Sequence, residues 1–388
     1  MLPAFQTADH WTDDFLDPMR QVGDLLADSV VENLFANNSI DSVNSLMYGM
    51  IVNEYPEPAS LPPVVADYVK QLDQLPDWAD AAKMDLGAQV FWKYGPRLIL
   101  ILHCYALPFC YVGQNGVKVL ALSGRLGSNS MRRILETAQL LVDAMATGGL
   151  SGPQGRARRT IQKVRLMHAA IRHLVKKYPN WKQPEYGLPV NQEDMAGTLM
   201  AFSWISLDGL RKIGVELTQA EWDAYLHCWQ IVGHQLGIRD DMIPADNGAA
   251  EALCQAIARR QFGACEEGQA MTKALIESIQ YQLPGDVFDD APGLLMRYFL
   301  GAEHAGMIGV APALLEKSGL RSLLTLPLQV GGEVLTDLVH DSAAISQLAE
   351  LMGKVLINSV VLVQRGGNRP SFTIPTELAL QWGVNWTS

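Results

Sequence analysis

Charge is scarce in this sequence and cysteine is scarcer. Charged residues fill 18% of the 388 positions against 48% hydrophobic, where a typical soluble domain carries about 25% charged residues. Such a chain has apolar material for a core large enough to enclose a planar cofactor. The net charge of −11 excludes a general nucleic-acid binder, which is usually basic. The cysteines are Cys104, Cys110, Cys228, Cys254 and Cys265. Their number is odd and no C-x-x-C pair occurs, which excludes a disulfide framework and a thiolate zinc site. The first twenty residues have early acids, no basic n-region and no uninterrupted apolar run, so they do not read as a signal peptide. The longest apolar stretch, Leu98 to Val112, contains His103 and Pro108 and falls short of the ~20 apolar residues a bilayer span needs. The expectation is a cytoplasmic protein with no membrane span.

A more local absence is informative. From Ala144 to Pro184 there is no Asp or Glu, while Arg156, Arg158, Arg159, Lys163, Arg165, Arg172, Lys176, Lys177 and Lys182 fall in the same stretch. A cationic run in an acidic chain calls for an anion nearby. Three sources are available: the protein's own carboxylates, a phosphate, or the two propionates of a haem.

Apolar residues recur at steps of three and four through most of the chain, which predicts helices. One is expected over Phe15 to Phe35, one over Pro63 to Leu72, and two more over Trp78 to Phe91 and Arg97 to Cys104. Ser128-Asn129-Ser130 supplies cap chemistry for a helix over Met131 to Met145, stopped by Gly148-Gly149. The basic helix is expected over Thr160 to Lys177, and another over Asn191 to Ile213. Thr218 to Glu221 forms a capping box for a helix reaching Leu236. Only Ser371 to Ile374 and Tyr111 to Val112 read as strand-like. With no repeat and no low-complexity linker, the reading is all-α: a single helical domain over 1–388.

On the basic helix, Arg165, His168 and Arg172 lie at i, i+3 and i+7 and share one face. Met167, Ala169 and His173 point elsewhere. Flanking guanidinium groups would keep the imidazole unprotonated, and a neutral imidazole can ligate iron while the arginines pair with propionates. On spacing alone, a His on a basic face is more often a surface or ion-paired residue. One helix earlier, Arg133, Glu136 and Thr137 sit at i, i+3 and i+4, with Arg132 four before Glu136. Spacing alone favours a solvated face with a small ion-pair contribution. If the cluster faces a pocket, Thr137 can donate to dioxygen, Arg133 can support charge, and Glu136 can act as a base. His227 and His234, seven apart, share a helix face. His103 lies in an apolar run. His103 and His234 are the further pocket-lining candidates, and His304 has no partner at metal-ligand spacing.

The pattern Arg133-x-x-Glu136-Thr137, followed 31 residues after the Thr by Arg165-x-x-His168-x-x-x-Arg172, resembles the DUF2236 superfamily of latex clearing proteins (rubber oxygenases) and MpaB-type oxygenases. Gly187 to Asp194, followed by Phe202-Ser203, is similar to a family segment. So is Trp229 to Gly237, ending near Pro244. The resemblance covers about residues 85 to 250. It implies an all-α fold with a globin-like core enclosing haem b. His168 would be the iron ligand, Arg165 and Arg172 would surround it, and Arg133 and Thr137 would lie on the distal side. Dioxygen and an apolar, alkene- or lipid-like small molecule would be the substrates. Rubber-cleaving members often carry Lys, able to close the sixth coordination site, where this chain has Glu136. No acid lies between Gly113 and Gly124 to match their upstream distal carboxylate. With no secretion signal read in the sequence, polyisoprene is disfavoured. The competing readings are a haem-based gas sensor or haem carrier, and a cofactor-free helical protein binding a lipid or another anion.

Overall fold

In the structure, a computed structural model, residues 5–37, 61–126, 130–151, 155–282, 289–312 and 342–365 are described, without the side chains at 123–136, 342–344, 347 and 358–365. In chain order the helices are α1 (Asp13–Met19), α2 (Leu25–Asn37), α3 (Pro63–Gln71), α4 (Ala81–Ile101), α5 (Leu107–Val112), α6 (Gly116–Leu126), α7 (Ser130–Met145) and α8 (Arg156–Val175). There follow α9 (Gln183–Tyr186), α10 (Gln192–Phe202), α11 (Trp204–Lys212), α12 (Gln219–Gln235), α13 (Asn247–Gln261), α14 (Glu266–Gln282), α15 (Ala291–Met307) and α16 (Ser342–Arg365). Among the described residues extended pairing is limited to two isolated bridges, Gln6 with Pro244 and Gly113 with Phe262. The fold is all-α, as the periodicity implies.

Several boundaries differ from the sequence expectation for physical reasons. The helix expected over Phe15 to Phe35 is two, because Asp24 caps a new start: its Oδ1 accepts from the Ala27 N–H at 3.5 Å and its N–H donates to Asp28 Oδ2 at 3.2 Å. The span Asn191 to Ile213 breaks at Ser203, whose φ of −96° and ψ of −91° are not helical. In the opposite sense, the helices expected around Trp78 to Cys104 are one, running through Pro96 and into a π-turn at Leu102–Ala106. Tyr111 and Val112 are not strand. They end α5, with Gly113 following and no second strand to pair with. The Ser371 to Ile374 expectation lies outside the described residues.

The chain divides into two compact units: Met1–Gln89, Leu140–Met200 and Asp223–Ile257 form one, and Val90–Gln139, Ala201–Trp222 and Ala258–Ser388 the other. Sequence punctuation gives no hint of this, because each unit is assembled from separated stretches.

In the first unit α2, α3 and α8 share a core. Val30, Val31 and Leu34 of α2 pack with Val65, Tyr68 and Val69 of α3 and with Leu166, Ala169 and Ala170 of α8. The alanines on α8 let α2 lie close against it. Each fully buried aliphatic side chain there contributes about 1.5–3 kcal/mol. This packing fixes the direction in which the other face of α8 points. In the second unit the π-turn meets α11 and α15. Tyr105 stacks on Phe299 with centroids 5.2 Å apart and donates its hydroxyl to Asp208 at 2.8 Å. Lys212 reaches Asp208 at 3.1 Å and the Phe299 carbonyl at 2.8 Å. The continuous helical stretch Ala81–Val112 is long and apolar enough to cross a membrane, and 83% of its most apolar window is buried in the protein, as in a core helix.

Candidate functional site

The sequence of α8, rich in Arg and Ala with Leu, Met, Gln and Lys among them, favours helix over most of its length. The helix begins after Gly155 and ends with Arg172 and His173 in its last turn, where cations suit the negative end of the helix dipole. The i, i+3, i+7 spacing then places Arg165, His168 and Arg172 along one side, and all three belong to the first unit.

Both arginines are held by carboxylates from the start of α2. Arg165 binds Asp24 in a bidentate fork, Nε to Oδ2 at 2.6 Å and Nη2 to Oδ1 at 2.8 Å, and donates Nη1 to the Gln235 carbonyl at 3.0 Å. Arg172 donates Nε to Asp28 Oδ1 at 2.7 Å and Nη1 to the Val190 carbonyl at 2.6 Å, while its Nη2 is buried without a partner. Burial opposes the charge on Arg165, but Asp24 outweighs it and holds the guanidinium pKa above its ordinary value. Farther along the same helix Arg159 pairs with Asp73 at 3.0 Å. Asp24, Asp28 and Asp73 thus meet three of the nine cations of the acid-free stretch, Arg165, Arg172 and Arg159, with the first of the three anion sources considered above.

His168 lies between these pairs. Its Nδ1 is buried and has no hydrogen-bond partner, while the residue as a whole keeps some exposure. Desolvation and, after it, the Arg172 charge push its pKa down to about 4, against an opposing contribution from Asp24. At neutral pH the ring carries no proton charge and keeps a nitrogen lone pair.

The two further segments of the family pattern frame this helix. Leu188 N–H donates to the Arg20 carbonyl at 2.8 Å and Gln192 N–H to the Val22 carbonyl at 3.0 Å. The Gln192 amide nitrogen bridges the Gly23 and Gly237 carbonyls at 2.8 and 2.9 Å, and its oxygen accepts from Arg239 N–H at 2.9 Å. Arg20 Nη1 lies 3.1 Å from both Glu193 and Asp194. Val190 carries a φ of 53°, a costly conformation for a β-branched residue, and from it presents its carbonyl to Arg172. Two glycines let the chain approach the ion pairs. Gly237, at φ +84°, would place a Cβ 2.3 Å from Asp24 Oδ2 and 2.7 Å from Arg165 Nε. Gly23 would place one 2.7 Å from Asp28 Oδ2 and 2.9 Å from Arg172 Nε.

Of the other candidates, Arg133, Glu136 and Thr137 lie on α7. The side chains of Arg133 and Glu136 lie outside the described residues, and Thr137 is partly buried. His227 and His234 do share a face: each meets the Trp78 ring edge-on at 5.7 Å. His227 Nε2 accepts from Asp80 N–H at 2.9 Å and His234 Nδ1 contacts Asp240 at 2.7 Å. His234 also lines a cavity of about 460 Å³ in the first unit, beside Arg165, Gln235 and Asp240. His103 is a core residue whose Nδ1 donates to the Ile99 carbonyl at 2.7 Å. Among the described residues no group of three or more His, Cys, Asp or Glu stands together as a metal site. Sequence reading missed Asp24, Asp28, Arg20 and Gln192. The hint was that Asp24 and Asp28 stand one helical turn apart at a helix start, presenting two carboxylates on one face.

The fold is helical and embeds an imidazole with an unpaired ring nitrogen between two ion-paired arginines; the comparisons with known proteins give the class to which it belongs. Residues 106–327 match the family described as "ER-bound oxygenase mpaB/B'/Rubber oxygenase, catalytic domain". The chain is 30% identical over 308 residues to the rubber oxygenase of Streptomyces sp. (strain K30), covering 76% of this chain and 72% of that one. Its structure is similar to that of a latex clearing protein in the closed state, with a TM-score of 0.71, 25% identity, and coverage of 92% of this chain and 95% of the other. The chain belongs to the mpaB/rubber oxygenase catalytic-domain family. The match reaches past residue 250, where the motifs alone had faded.

Proposed function

We propose that this protein is a haem b-dependent oxygenase acting with dioxygen on an apolar, alkene- or lipid-like substrate, and that His168 is its iron ligand. The observation that carries the reading is the setting of His168: a buried ring nitrogen with no hydrogen-bond partner, on a helix held by ion pairs at both flanks, with burial pushing its pKa down. A lone imidazole cannot cage a metal ion by itself. It would suit a haem, which brings its own nitrogens to the iron and would take His168 as the protein ligand. The donor set therefore fits haem.

When bound, the haem supplies the iron at which dioxygen is activated. The chain's own contribution would begin with a fixed donor: burial and, after it, the Arg172 charge push the pKa of the free His168 ring down to about 4, which keeps its lone pair available through the usual histidine range. As the holder of the haem iron, the His168 imidazole would give less electron push toward O–O cleavage than a thiolate, which would favour dioxygenation over hydroxylation. Arg165 and Arg172, already balanced by Asp24 and Asp28, act in this reading by holding the ligand helix more than by neutralising propionates. Arg133 and Thr137 are the proposed donors to dioxygen, and Glu136 the proposed base in place of the relatives' Lys.

The test is substrate-dependent oxygen uptake by haem-loaded protein, offered unsaturated chains of increasing length, with carbonyl products measured. Uptake that tracks an apolar substrate and vanishes in Glu136→Gln supports the reading. Haem that autoxidises with no substrate dependence across the series removes the enzyme assignment and leaves a gas sensor or carrier.

A further inference from the structure

We propose that His168 is positioned by the ion pairs on either side of it and not by a hydrogen bond to its own ring, so that Asp24 and Asp28 are positioning residues for the metal-ligating imidazole. This rests on the reading of His168 as the haem ligand. In most protein metal sites the second ring nitrogen of a ligating histidine donates to a carboxylate, carbonyl or water, which orients the ring and raises its basicity. With Nε2 taken as the iron-binding nitrogen, the second nitrogen here is Nδ1, which is buried and unpaired.

The carboxylates and carbonyls on either side of His168 in the ion-pair framework are engaged by the two arginines. Asp24 gives both oxygens to Arg165, and the Gln235 carbonyl accepts from the same guanidinium. Asp28 gives Oδ1 to Arg172 and Oδ2 to the Asp24 N–H, and the Val190 carbonyl accepts from Arg172. The arrangement is built in on both sides. Gly237 and Gly23 each leave room where any side chain would strike the Asp24–Arg165 and Asp28–Arg172 pairs respectively. A cationic donor outcompetes a neutral ring N–H for a carboxylate. The imidazole has no hydrogen bond of its own at Nδ1, while its helix is pinned three residues before and four after. The consequence is a ligand without imidazolate character, and local charges that balance only while both carboxylates are present.

The experiment uses full-length protein loaded with haem. In wild type, the iron–histidine stretching vibration of the ferrous form is expected at the low-frequency end typical of an imidazole with no hydrogen bond. Asp28→Asn leaves Arg172 uncompensated and is expected to favour ferrous over ferric iron by about tenfold, the scale of one unbalanced charge in a partly buried site. Asp28→Glu restores the charge and is expected to return the reduction potential toward wild type. A high-frequency, hydrogen-bonded vibration in wild type overturns the proposal, as does a folded Asp28→Asn variant with the wild-type potential. Protein that binds no haem, or whose haem spectrum is unchanged by His168→Ala, fails the underlying reading instead, and the absorption spectrum shows which has failed. The wild-type vibration needs no variant to fold.

Discussion

Two buried histidines in this chain make opposite use of the same chemistry. His103, in the π-turn of the second unit, is 1% exposed and donates Nδ1 to its own helix at Ile99, leaving Nε2 buried and unpaired. Desolvation lowers its pKa, and no neighbouring cation contributes. His168, in the first unit, has the unpaired nitrogen at Nδ1, Arg172 among the causes of its lowered pKa, and retains some exposure. Neither has a metal-ligand partner at local spacing, though His103 lies in an apolar run and His168 on a basic helix between Arg165 and Arg172. The difference lies in what surrounds them. His103 is set by its own backbone and reads as core. His168 is set by ion pairs from distant sequence and keeps a free donor.

The largest break in that comparison comes from removing the ligand. His168→Ala should abolish the haem absorption band, while His103→Ala should keep it and lose about 2–3 kcal/mol of stability by cavity formation, read from denaturant unfolding. Next, Arg165→Met leaves Asp24 buried without its partner and should cost about 3–5 kcal/mol, whereas Lys182→Met, at an exposed pair with Glu185, should change stability within about 0.5 kcal/mol.

The pH dependence of the haem-free protein sharpens the contrast. The folded pKa of His168 is pushed down to about 4 from an unfolded value near 6.5. The unfolded chain therefore binds the proton first. The stability is fully present above about pH 6.5 and is lost as pH falls through 6.5 toward 4, a change of about 3 kcal/mol. His168→Phe should flatten that part of the profile, with the unfolding midpoint followed against pH. A smaller effect is expected at Gly237, where Ala must adopt a positive φ and displace the Asp24–Arg165 pair. About 1–3 kcal/mol should be lost. A smaller effect again is expected for His103→Leu, which removes an unpaired buried nitrogen at similar volume and should fall within about 1 kcal/mol of wild type; of the variants named, the exposed Lys182→Met should change least.

Much of this was legible in the sequence where local physics decides. The α7 and α8 helices, the Gly148-Gly149 stop and the Thr218–Glu221 capping box all follow from short-range rules, and Thr218 N–H does donate to Glu221 at 2.7 Å. The shared face of Arg165, His168 and Arg172 follows from the helical period. Where apolar spacing runs on through a break, as at Val22, Leu25 and Leu26, periodicity hides the cap at Asp24. Asp24 and Asp28 lie 141 and 144 residues from their arginines, so no local pattern could pair them. For the same reason the acid-free stretch announced that anions were needed without saying which ones.

The central claim is that His168 holds the haem iron, and absorption spectroscopy of wild type and His168→Ala titrated with haem b tests it most directly. The account predicts a saturable Soret band near one haem per chain in wild type and its loss in a folded His168→Ala protein. An equally strong, unshifted band in His168→Ala would contradict it.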